Sequence, residues 1–273
     1  LTDAGPNGFA DTCVSTKPDD VPRDSCVVAT VPPADQAGID QVPISKCITS
    51  FSATGGVIRI RAGTYTISAN TAVPPNVKIV GDPGTTLSAA AGLGANAIFS
   101  VAATTTIEGL TFNMTNGAAG AMAIDVTGGS NVKIRDNRFS DTSAAGHQMI
   151  NVGAGTDVLR IERNDFFAQF TSAIGISGAI KNSWITGNKI WNNGANSATA
   201  IAFFAAPTVN RVIISENQIV CAGPNSNGLT LNSGNFNFLS VLNNQMDSCR
   251  FPFFNGGAVI NDSSFSGNRF LVY

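Results

Sequence analysis

The sequence predicts a right-handed parallel β-helix, an all-β solenoid with an asparagine ladder and an N-terminal capping helix. Three observations predict it. A short motif centred on asparagine recurs every 24 to 29 residues, apolar residues flank each asparagine, and a further apolar segment precedes each copy. Repeats of this length are typical of solenoids, in which each coil packs only on its neighbours.

The motif reads x-x-apolar-x-x-Asn-x-apolar. Its six copies are VKIRDNRF (132–139), LRIERNDF (159–166), SWITGNKI (183–190), VIISENQI (212–219), LSVLNNQM (239–246) and SSFSGNRF (263–270). Alternation before each asparagine indicates a strand, and the switch of phase after it indicates a corner between two strands that face one interior. Asparagine tolerates the left-handed backbone conformation, and its amide can bond to the next coil about 4.8 Å away. We therefore predict a ladder at this corner.

A third strand precedes each copy and completes a coil of three strands and three turns. These segments are AMAIDVTG from 121, HQMINVGA from 147, SAIGISGA from 172, ATAIAFFA from 198, NGLTLNSG from 227 and FPFFNGGA from 251. No segment sustains the i, i+3, i+4, i+7 apolar spacing of a helix with good helix formers. A helical solenoid is therefore excluded.

Composition indicates one ordered domain of 273 residues, with 43% hydrophobic and only 12% charged residues. The formal charge of -2 gives no field that would gather nucleic acid or an anionic membrane, so neither partner is expected. No apolar run reaches the roughly 18 residues of a membrane span. Leu1 is interpreted as a processed or trimmed end, and after Tyr273 we expect either further residues or another chain to cover the last coil.

The domain division places an N-terminal extension at 1–34 and the β-helix at 35–273. Pro43 suits the first turn of a capping helix over about 43–51. The apolar residues of that helix can plug the open end of the solenoid and protect its strand edges; they are Ile44, Cys47, Ile48 and Phe51.

The five cysteines include no CxxC pair and accompany a single histidine, which favours disulfides over a metal centre. Cys221 and Cys249 fall at nearly the same place in adjacent coils, so we predict a bond between them. Cys13, Cys26 and Cys47 are expected to form one further bond, whose partners stay open.

Residues 35–67, DQAGIDQVPISKCITSFSATGGVIRIRAGTYTI, resemble the entry segment of the pectate-lyase-like superfamily, which includes polysaccharide lyases, epimerases and phage tailspikes. Ala62 stands where that family usually has proline before Gly63-Thr64-Tyr65. The resemblance is specific over this segment and elsewhere extends only to the coil pattern. It implies a polysaccharide partner and a secreted or extracellular location.

The resemblance also implies which face binds sugar, namely the sheet formed by the strand before each motif. Alternation points Asp125, Asn151, Gly175, Ala202 and Thr230 outward there. Family lyases use Ca²⁺-binding carboxylates with an Arg or Lys base, and glycosidases use paired carboxylates, but these strands carry neither set. We assign no metal ligand, and Ca²⁺ is the cofactor that such a lyase would use.

The catalytic candidates are Asp125, Asp141, His147 and Arg138. His147 is expected near the outer start of its strand, where its ordinary pKa suits proton transfer near neutrality. The substrate-binding candidates are Asn151, Lys133, Arg135, Arg160, Phe167, Trp184 and Trp191. Aromatic rings stack on the C–H faces of sugars, with core or turn packing as the alternative. The core is the expected place of Phe203, Phe204, Phe253 and Phe254.

Stacking places Lys133 over Arg160, Arg135 over Glu162, and Arg138 over Asp165, which also fits a surface salt-bridge ladder.

The predicted function is an extracellular lyase that cleaves an acidic polysaccharide, ahead of a hydrolase or epimerase. The alternative is a non-catalytic glycan-binding or structural β-helix, such as a tail fibre or adhesin, for which a homotrimer is suitable. Ice binding requires a regular threonine array that the outward row lacks.

Overall fold

A computed structural model of the protein describes residues 41–51, 55–143, 146–168, 170–192, 198–204, 207–223 and 225–271, together with three short strands nearer the N-terminus. The helices of this part are the α-helix Gln41–Ser50 and the 3-10 helix Ala91–Leu93. The remaining regular structure is β-strand, wound into parallel coils as the repeat predicts.

Three parallel sheets run along the solenoid, and each coil gives a strand to each sheet. The first sheet contains Ser25–Val28, Gly56–Ile60, Val77–Gly81, Thr106–Glu108, Lys133–Arg135, Thr156–Asp157, Arg160–Glu162, Ile180–Thr186, Thr208–Ser215, Asn235–Leu242, Val259–Asn261 and Ser264–Ser266. The second sheet contains Gly63–Ile67, Thr85–Ala89, Thr111–Asn113, Arg138–Asp141, Asp165–Ala168, Lys189–Asn192, Gln218–Cys221, Gln245–Asp247 and Arg269–Leu271.

The third sheet contains Thr71–Val73, Ala97–Val101, Met122–Val126, His147–Val152, Phe170–Ile176, Thr199–Phe203, Asn227–Leu231 and Phe251–Asn255. A separate antiparallel pair joins Asp3–Ala4 to Ala10–Asp11. The asparagine motif spans the corner between the first and second sheets, and the segment that precedes each motif forms the third sheet. This arrangement confirms the predicted division of a coil into three strands.

The asparagine ladder is present and runs from Asn137 to Asn268. In each step the side-chain amide donates to the Oδ1 of the asparagine one coil further on, at 3.1 Å from Asn137 to Asn164 and 3.0 Å from Asn188 to Asn217. The same Nδ2 also donates to a backbone carbonyl, as Asn164 does to Ile134 at 2.9 Å. The ladder therefore satisfies buried backbone groups at a corner that the interior closes off from water.

The left-handed residue of the corner is not the asparagine, so that part of the prediction is wrong. Positive φ falls one position earlier, at 55° for Asp136, 53° for Arg163 and 58° for Glu216, and Gly187 takes the place in its own coil at 65°. The preceding residue makes the turn and leaves the asparagine side chain directed inward. Asparagine is therefore needed for its hydrogen bonds rather than for its backbone freedom.

The interior is a column of aligned apolar side chains. Phe112, Phe139 and Phe166 stack with ring centroids 5.0 and 4.6 Å apart, and each is essentially buried. Their positions follow the ladder, because each lies two residues after the ladder position of its coil, which is Leu110 in the first coil and an asparagine in the other two. The column buries apolar area continuously along the solenoid, which is the main stabilising contribution of such a fold.

The capping helix occupies the predicted place and buries the predicted face. Ile44, Cys47, Ile48 and Phe51 are at most 3% exposed. Strand Ser25–Val28 pairs in parallel with Gly56–Ile60, so residues ahead of position 35 also contribute to the first sheet. The last described coil is different, because Phe265 and Phe270 keep 43% and 48% of their surface exposed.

The Cys221–Cys249 disulfide is present and joins adjacent coils at the end of the second sheet, with the Cα atoms 4.7 Å apart. Cys47 is also disulfide-bonded. The side chains of Cys13 and Cys26 lie outside the described part of the chain.

The outward row of the third sheet has the predicted register but is partly covered. Asp125, Asn151, Gly175, Ala202 and Thr230 align coil by coil. The last three of them are buried, against the expectation of an open face. A ring accounts for part of this, since a Cβ atom at Gly175 would meet Cε2 of Phe204 at 3.1 Å.

The four phenylalanines assigned to the core divide between interior and surface. Phe203 is fully buried, and Phe253 packs partly buried against the core. Phe204 instead lies over the outer face of the third sheet, and Phe254 is 37% exposed. The core assignment is therefore wrong for Phe204 and Phe254, which follow their inward-facing neighbours by one residue and so point out of the solenoid.

Candidate functional site

The four catalytic candidates do not converge on one site. Asp125 lies on the outer face of the third sheet and Arg138 on the outer face of the second. Asp141 and His147 are buried at the corner between those sheets, with 2% and 0% of their surface exposed. The sequence predicts that all four serve one substrate, and the coil geometry separates them.

His147 was expected at the outer surface as a base, and this expectation is wrong. Its Nδ1 lies 2.6 Å from Oδ2 of Asp141, and its Nε2 lies 3.0 Å from the carbonyl oxygen of Ala118 and 3.3 Å from that of Gly117. Both ring nitrogens face acceptors, which suits the doubly protonated imidazolium. The physical reason is a change of phase within its strand: Met149 and Ile150 are both buried, so the alternation that leads back from Asn151 turns His147 inward.

The surroundings raise the pKa of His147 above its ordinary value. Burial acts in the opposite direction, but the hydrogen bond and charge of Asp141, with the two backbone carbonyls, outweigh it. Asp141 is held in turn by Ser143, whose backbone N–H and hydroxyl both donate to Oδ1 at 2.7 Å. The pair therefore connects the turn that contains Gly117 and Ala118 to the turn between Asp141 and His147, and it is not accessible to a substrate.

Asp125 and Asn151 form a polar pair on the third sheet. Nδ2 of Asn151 donates to Oδ1 of Asp125 at 2.7 Å, and the hydroxyl of Thr127 donates to the same oxygen at 3.0 Å. Asp125 also borders a groove of about 450 Å³ beside the C-terminal end of the capping helix. Both residues are half-buried on the outer face of the third sheet, and Arg138 lies on another sheet.

The basic candidates on the first sheet are engaged with neighbouring side chains. Arg135 aligns with Glu162 as predicted, yet its guanidinium pairs with Glu108 of the preceding coil at 2.7 Å, where Lys78 pairs as well at 2.6 Å. Burial would raise the pKa of Glu108, and the hydrogen bonds and charges of Lys78 and Arg135 lower it below its ordinary value. This part of the surface is a salt-bridge ladder.

Two other first-sheet candidates, Arg160 and Trp184, contact each other. They align in adjacent coils, and Lys133 aligns with Arg160 on the other side. The guanidinium of Arg160 lies over the Trp184 ring, 4.9 Å from its centroid. This cation–π contact covers one face of the Trp184 ring.

The second sheet carries an open cleft of about 370 Å³, and here three of the predicted residues meet. Phe167 and Trp191 lie in adjacent coils, 50% and 48% exposed, with ring centroids 6.0 Å apart. Arg138 lines the same cleft. The register explains the meeting, because positions one and three residues after each ladder asparagine point outward from this sheet.

These two outward positions form two rows along the cleft. The position one residue after the asparagine gives a polar row, and the position three residues after it gives a row with the aromatic rings. The polar row consists of Arg138, Asp165, Lys189 and Gln218, and the second row of Ser140, Phe167, Trp191 and Val220. Among the described residues, Arg138, Asp165 and Lys189 make no ion pair, although they align in consecutive coils.

The sequence pattern identified both rings and Arg138 and placed Asp165 against Arg138 as a salt-bridge partner, but it did not assign Asp165, Lys189 and Gln218 to one site. The signal was present in the motif, since all three follow a ladder asparagine directly. The predicted ring Trp184 stays apart, because it lies on the first sheet beyond the asparagine corner.

Within the described ranges, no group of three or more His, Cys, Asp or Glu side chains is placed to hold a metal ion. No helix in the same part of the chain is both long and apolar enough to span a lipid bilayer.

The sequence matches no protein-family profile and no curated protein. Among solved structures, it is similar to a pectin methylesterase in complex with a hexasaccharide, with a TM-score of 0.50 and 15% identity over 89% of this chain and 94% of the other. The chain has the right-handed parallel β-helix fold. At this identity the likeness concerns the fold alone.

Two viral proteins are similar over part of their length. A tailspike protein of E. coli bacteriophage HK620, in complex with a pentasaccharide, gives a TM-score of 0.41 at 14% identity over 86% of this chain. An open-reading-frame product of a Geobacillus virus gives 0.41 at 14% identity, again over 86% of this chain. This β-helix spans 64% and 58% of those two chains.

Proposed function

We propose that this β-helix binds a polysaccharide chain in the second-sheet cleft. The observation that carries the proposal is the pair of exposed rings, Phe167 and Trp191, beside charged side chains that have no ion-pair partner among the described residues. Sugar rings place C–H faces on aromatic side chains, and their hydroxyl groups bond to polar side chains at the rim.

The strands hold this surface in place before a ligand arrives. Both rings stand on strands of a continuous parallel sheet, at positions fixed by the buried residues on either side, Phe166 and Ile190 among them. A preorganised surface loses little conformational entropy on binding. The hexasaccharide held by the pectin methylesterase supports the proposal as an analogy of fold.

Binding of polysaccharides to cleft variants tests the proposal. Affinity electrophoresis in gels that contain a panel of acidic and neutral polysaccharides would compare Phe167→Ala and Trp191→Ala with the unsubstituted protein. We expect each substitution to weaken binding roughly tenfold, or about 1.4 kcal/mol. Phe238→Ala is the matched control, because that ring is 49% exposed on the first sheet. Unchanged binding in both cleft variants would refute the site.

A second candidate function is cleavage of an acidic polysaccharide by a lyase reaction in the same cleft. It is favoured by Arg138, which is exposed there without an ion pair in the described chain, and by Lys189 two coils away. In this β-elimination a base takes the proton from the carbon beside the sugar carboxylate, a carbon–carbon double bond forms, the glycosidic C–O bond breaks, and the leaving oxygen takes up a proton from an acid or from water. A cation beside the carboxylate would stabilise the charge that develops.

The test of cleavage is the ultraviolet absorbance of the unsaturated product, measured with and without Ca²⁺. We expect Arg138→Gln to abolish it while His147→Gln leaves it in place, since His147 is buried away from the cleft. An active Arg138→Gln variant would remove this mechanism.

An extracellular place of action is also part of the proposal. The Cys221–Cys249 disulfide supports it, because disulfides persist mainly in oxidising compartments. A homotrimer remains a prediction.

A further inference from the structure

The polar row of the cleft alternates in charge along the solenoid axis. Arg138, Asp165 and Lys189 occupy equivalent positions in three consecutive coils and are all exposed. Coils are spaced about 4.8 Å apart, so the two cationic positions repeat at about 9.6 Å with a carboxylate between them. The order is cation, anion, cation, followed by neutral Gln218.

The charges of this row are available to a ligand. None of the three forms an ion pair among the described residues, whereas Arg135 and Lys78 on the first sheet share Glu108. A cation or anion that faces solvent without a partner keeps its capacity for charge-assisted hydrogen bonds.

Two coils of the cleft also present an aromatic ring on which a sugar can stack. Phe167 follows Asp165 by two residues, and Trp191 follows Lys189 by two, so a ring stands beside a charge in both coils. A sugar unit of an extended glycan is about as long as the coil spacing. A chain that runs parallel to the axis therefore sets one sugar against each coil.

We propose that the cleft selects a polysaccharide with a uronate carboxylate on every second sugar. This inference rests on the proposed glycan binding and specifies its substrate class. Arg138 and Lys189 bind the carboxylates of two sugars, and the planar guanidinium matches the carboxylate geometry. Asp165 accepts a hydrogen bond from a hydroxyl or amide N–H of the sugar between them and repels a carboxylate there.

Calorimetry with three tetrasaccharides distinguishes recognition of the spacing of carboxylates from a general attraction to negative charge. The probes are a hyaluronan tetrasaccharide with alternate uronates, a galacturonate tetrasaccharide with a carboxylate on each sugar, and neutral cellotetraose. We expect the alternating probe to bind roughly tenfold more tightly than either of the others. Equal binding of the uniform and alternating probes would overturn the inference.

Three variants test the assignment of each charge. Arg138→Gln and Lys189→Gln should each weaken binding of the alternating probe about fivefold, the upper range for an exposed ion pair. Asp165→Asn should reduce the ratio of the affinity for the alternating probe to the affinity for the uniform probe. Arg269→Gln is the matched control, because it lies in the same outward row three coils beyond Lys189 and beyond the reach of a tetrasaccharide.

The outcomes distinguish this inference from the function on which it rests. If cellotetraose or the uniform probe binds as tightly as the alternating one, and Trp191→Ala weakens that binding, the cleft binds glycans but the charge pattern does not select them. If none of the probes binds, both the selection and the proposed glycan site are refuted. An Asp165→Asn variant with an unchanged preference would also overturn the inference.

Discussion

Oδ2 of Asp141 lies 2.6 Å from Nδ1 of His147, and both side chains are buried. The opposite ring nitrogen faces the carbonyl oxygens of Gly117 and Ala118, one coil away. An imidazolium in this place joins the end of a second-sheet strand, the start of a third-sheet strand and the turn of the previous coil. The pair therefore stabilises the fold at a corner where the ladder does not reach.

The pKa shift of His147 predicts how stability depends on pH. Its folded-state pKa is raised above 6.5, so the unfolded state loses the proton first as pH rises. The stability that the imidazolium contributes is complete below about pH 6.5 and is lost as pH rises through the folded-state pKa. Urea unfolding at a series of pH values should show this decrease, and His147→Gln should remove it.

Proton NMR provides a direct control, because the chain contains one histidine. Its ring signals need no assignment by mutagenesis. A titration midpoint below 6.5 in the folded protein would contradict the buried imidazolium.

Removing the partner carboxylate should cost more stability than removing both groups. Asp141→Asn removes the hydrogen bond and charge that outweigh burial, so the ring must give up its proton or stay charged without a counterion. We expect a loss of about 3–5 kcal/mol in the free energy of unfolding. The double variant Asp141→Asn/His147→Gln should recover part of this loss. A double-mutant cycle by urea unfolding measures the coupling, and a coupling of zero would contradict the ion pair.

The middle of the asparagine ladder should be more sensitive than its end. Asn188 accepts from both the backbone N–H and the side chain of Asn164, at 3.0 and 3.1 Å, and donates to Asn217 and Ile161. Asn188→Ala leaves buried groups unsatisfied, at about 1–3 kcal/mol each. Asn268→Ala, at the half-buried end, should cost less by the same urea assay. Equal losses would show that the ladder does not act through burial.

Removing the disulfide should lower stability without changing binding. Cys221 and Cys249 close a loop with a sequence separation of 28 residues, for which chain entropy predicts about 3–4 kcal/mol. The paired variant Cys221→Ser/Cys249→Ser would be compared with the parent by urea unfolding. Affinity electrophoresis of the folded variant provides the control, because the bond lies outside the cleft. An unchanged free energy of unfolding would contradict the predicted contribution.

Much of the fold was predictable because each coil repeats the same constraints. The asparagine spacing predicted the ladder, and the alternation of apolar residues predicted three sheets. Cys221 and Cys249 follow their ladder asparagines by nearly the same number of residues, and this predicted the disulfide. The left-handed residue was misplaced by one position, since the pattern shows that a corner exists but not which residue turns it.

His147 shows where periodicity fails. Strict alternation from Asn151 carries it to the outer face, but the phase of the strand changes between Met149 and Ile150. Two adjacent apolar residues, Met149 and Ile150, are both buried and were the available signal of that change. The covering of an outward position by a side chain from another coil is harder to predict, since the repeat does not reveal that Phe204 lies against Gly175.

The cleft was predictable only in part for a similar reason. Alternation shows that Arg138, Phe167 and Trp191 point outward, and the repeat shows that they share a sheet. Whether neighbouring charges pair depends on side-chain conformations that no repeat encodes. On the first sheet the charged side chains pair in a salt-bridge ladder, whereas the charged side chains of the second-sheet cleft face solvent.

Fluorine NMR of the protein labelled with fluorotryptophan tests the glycan site most directly. The chain has two tryptophans, Trp191 in the cleft and Trp184 on the first sheet, and Trp191→Phe assigns the two signals. On titration with a polysaccharide that binds the protein, we expect binding in the cleft to shift the Trp191 signal and to leave the Trp184 signal unmoved. A shift of Trp184 alone, or binding without a shift of either signal, would contradict it.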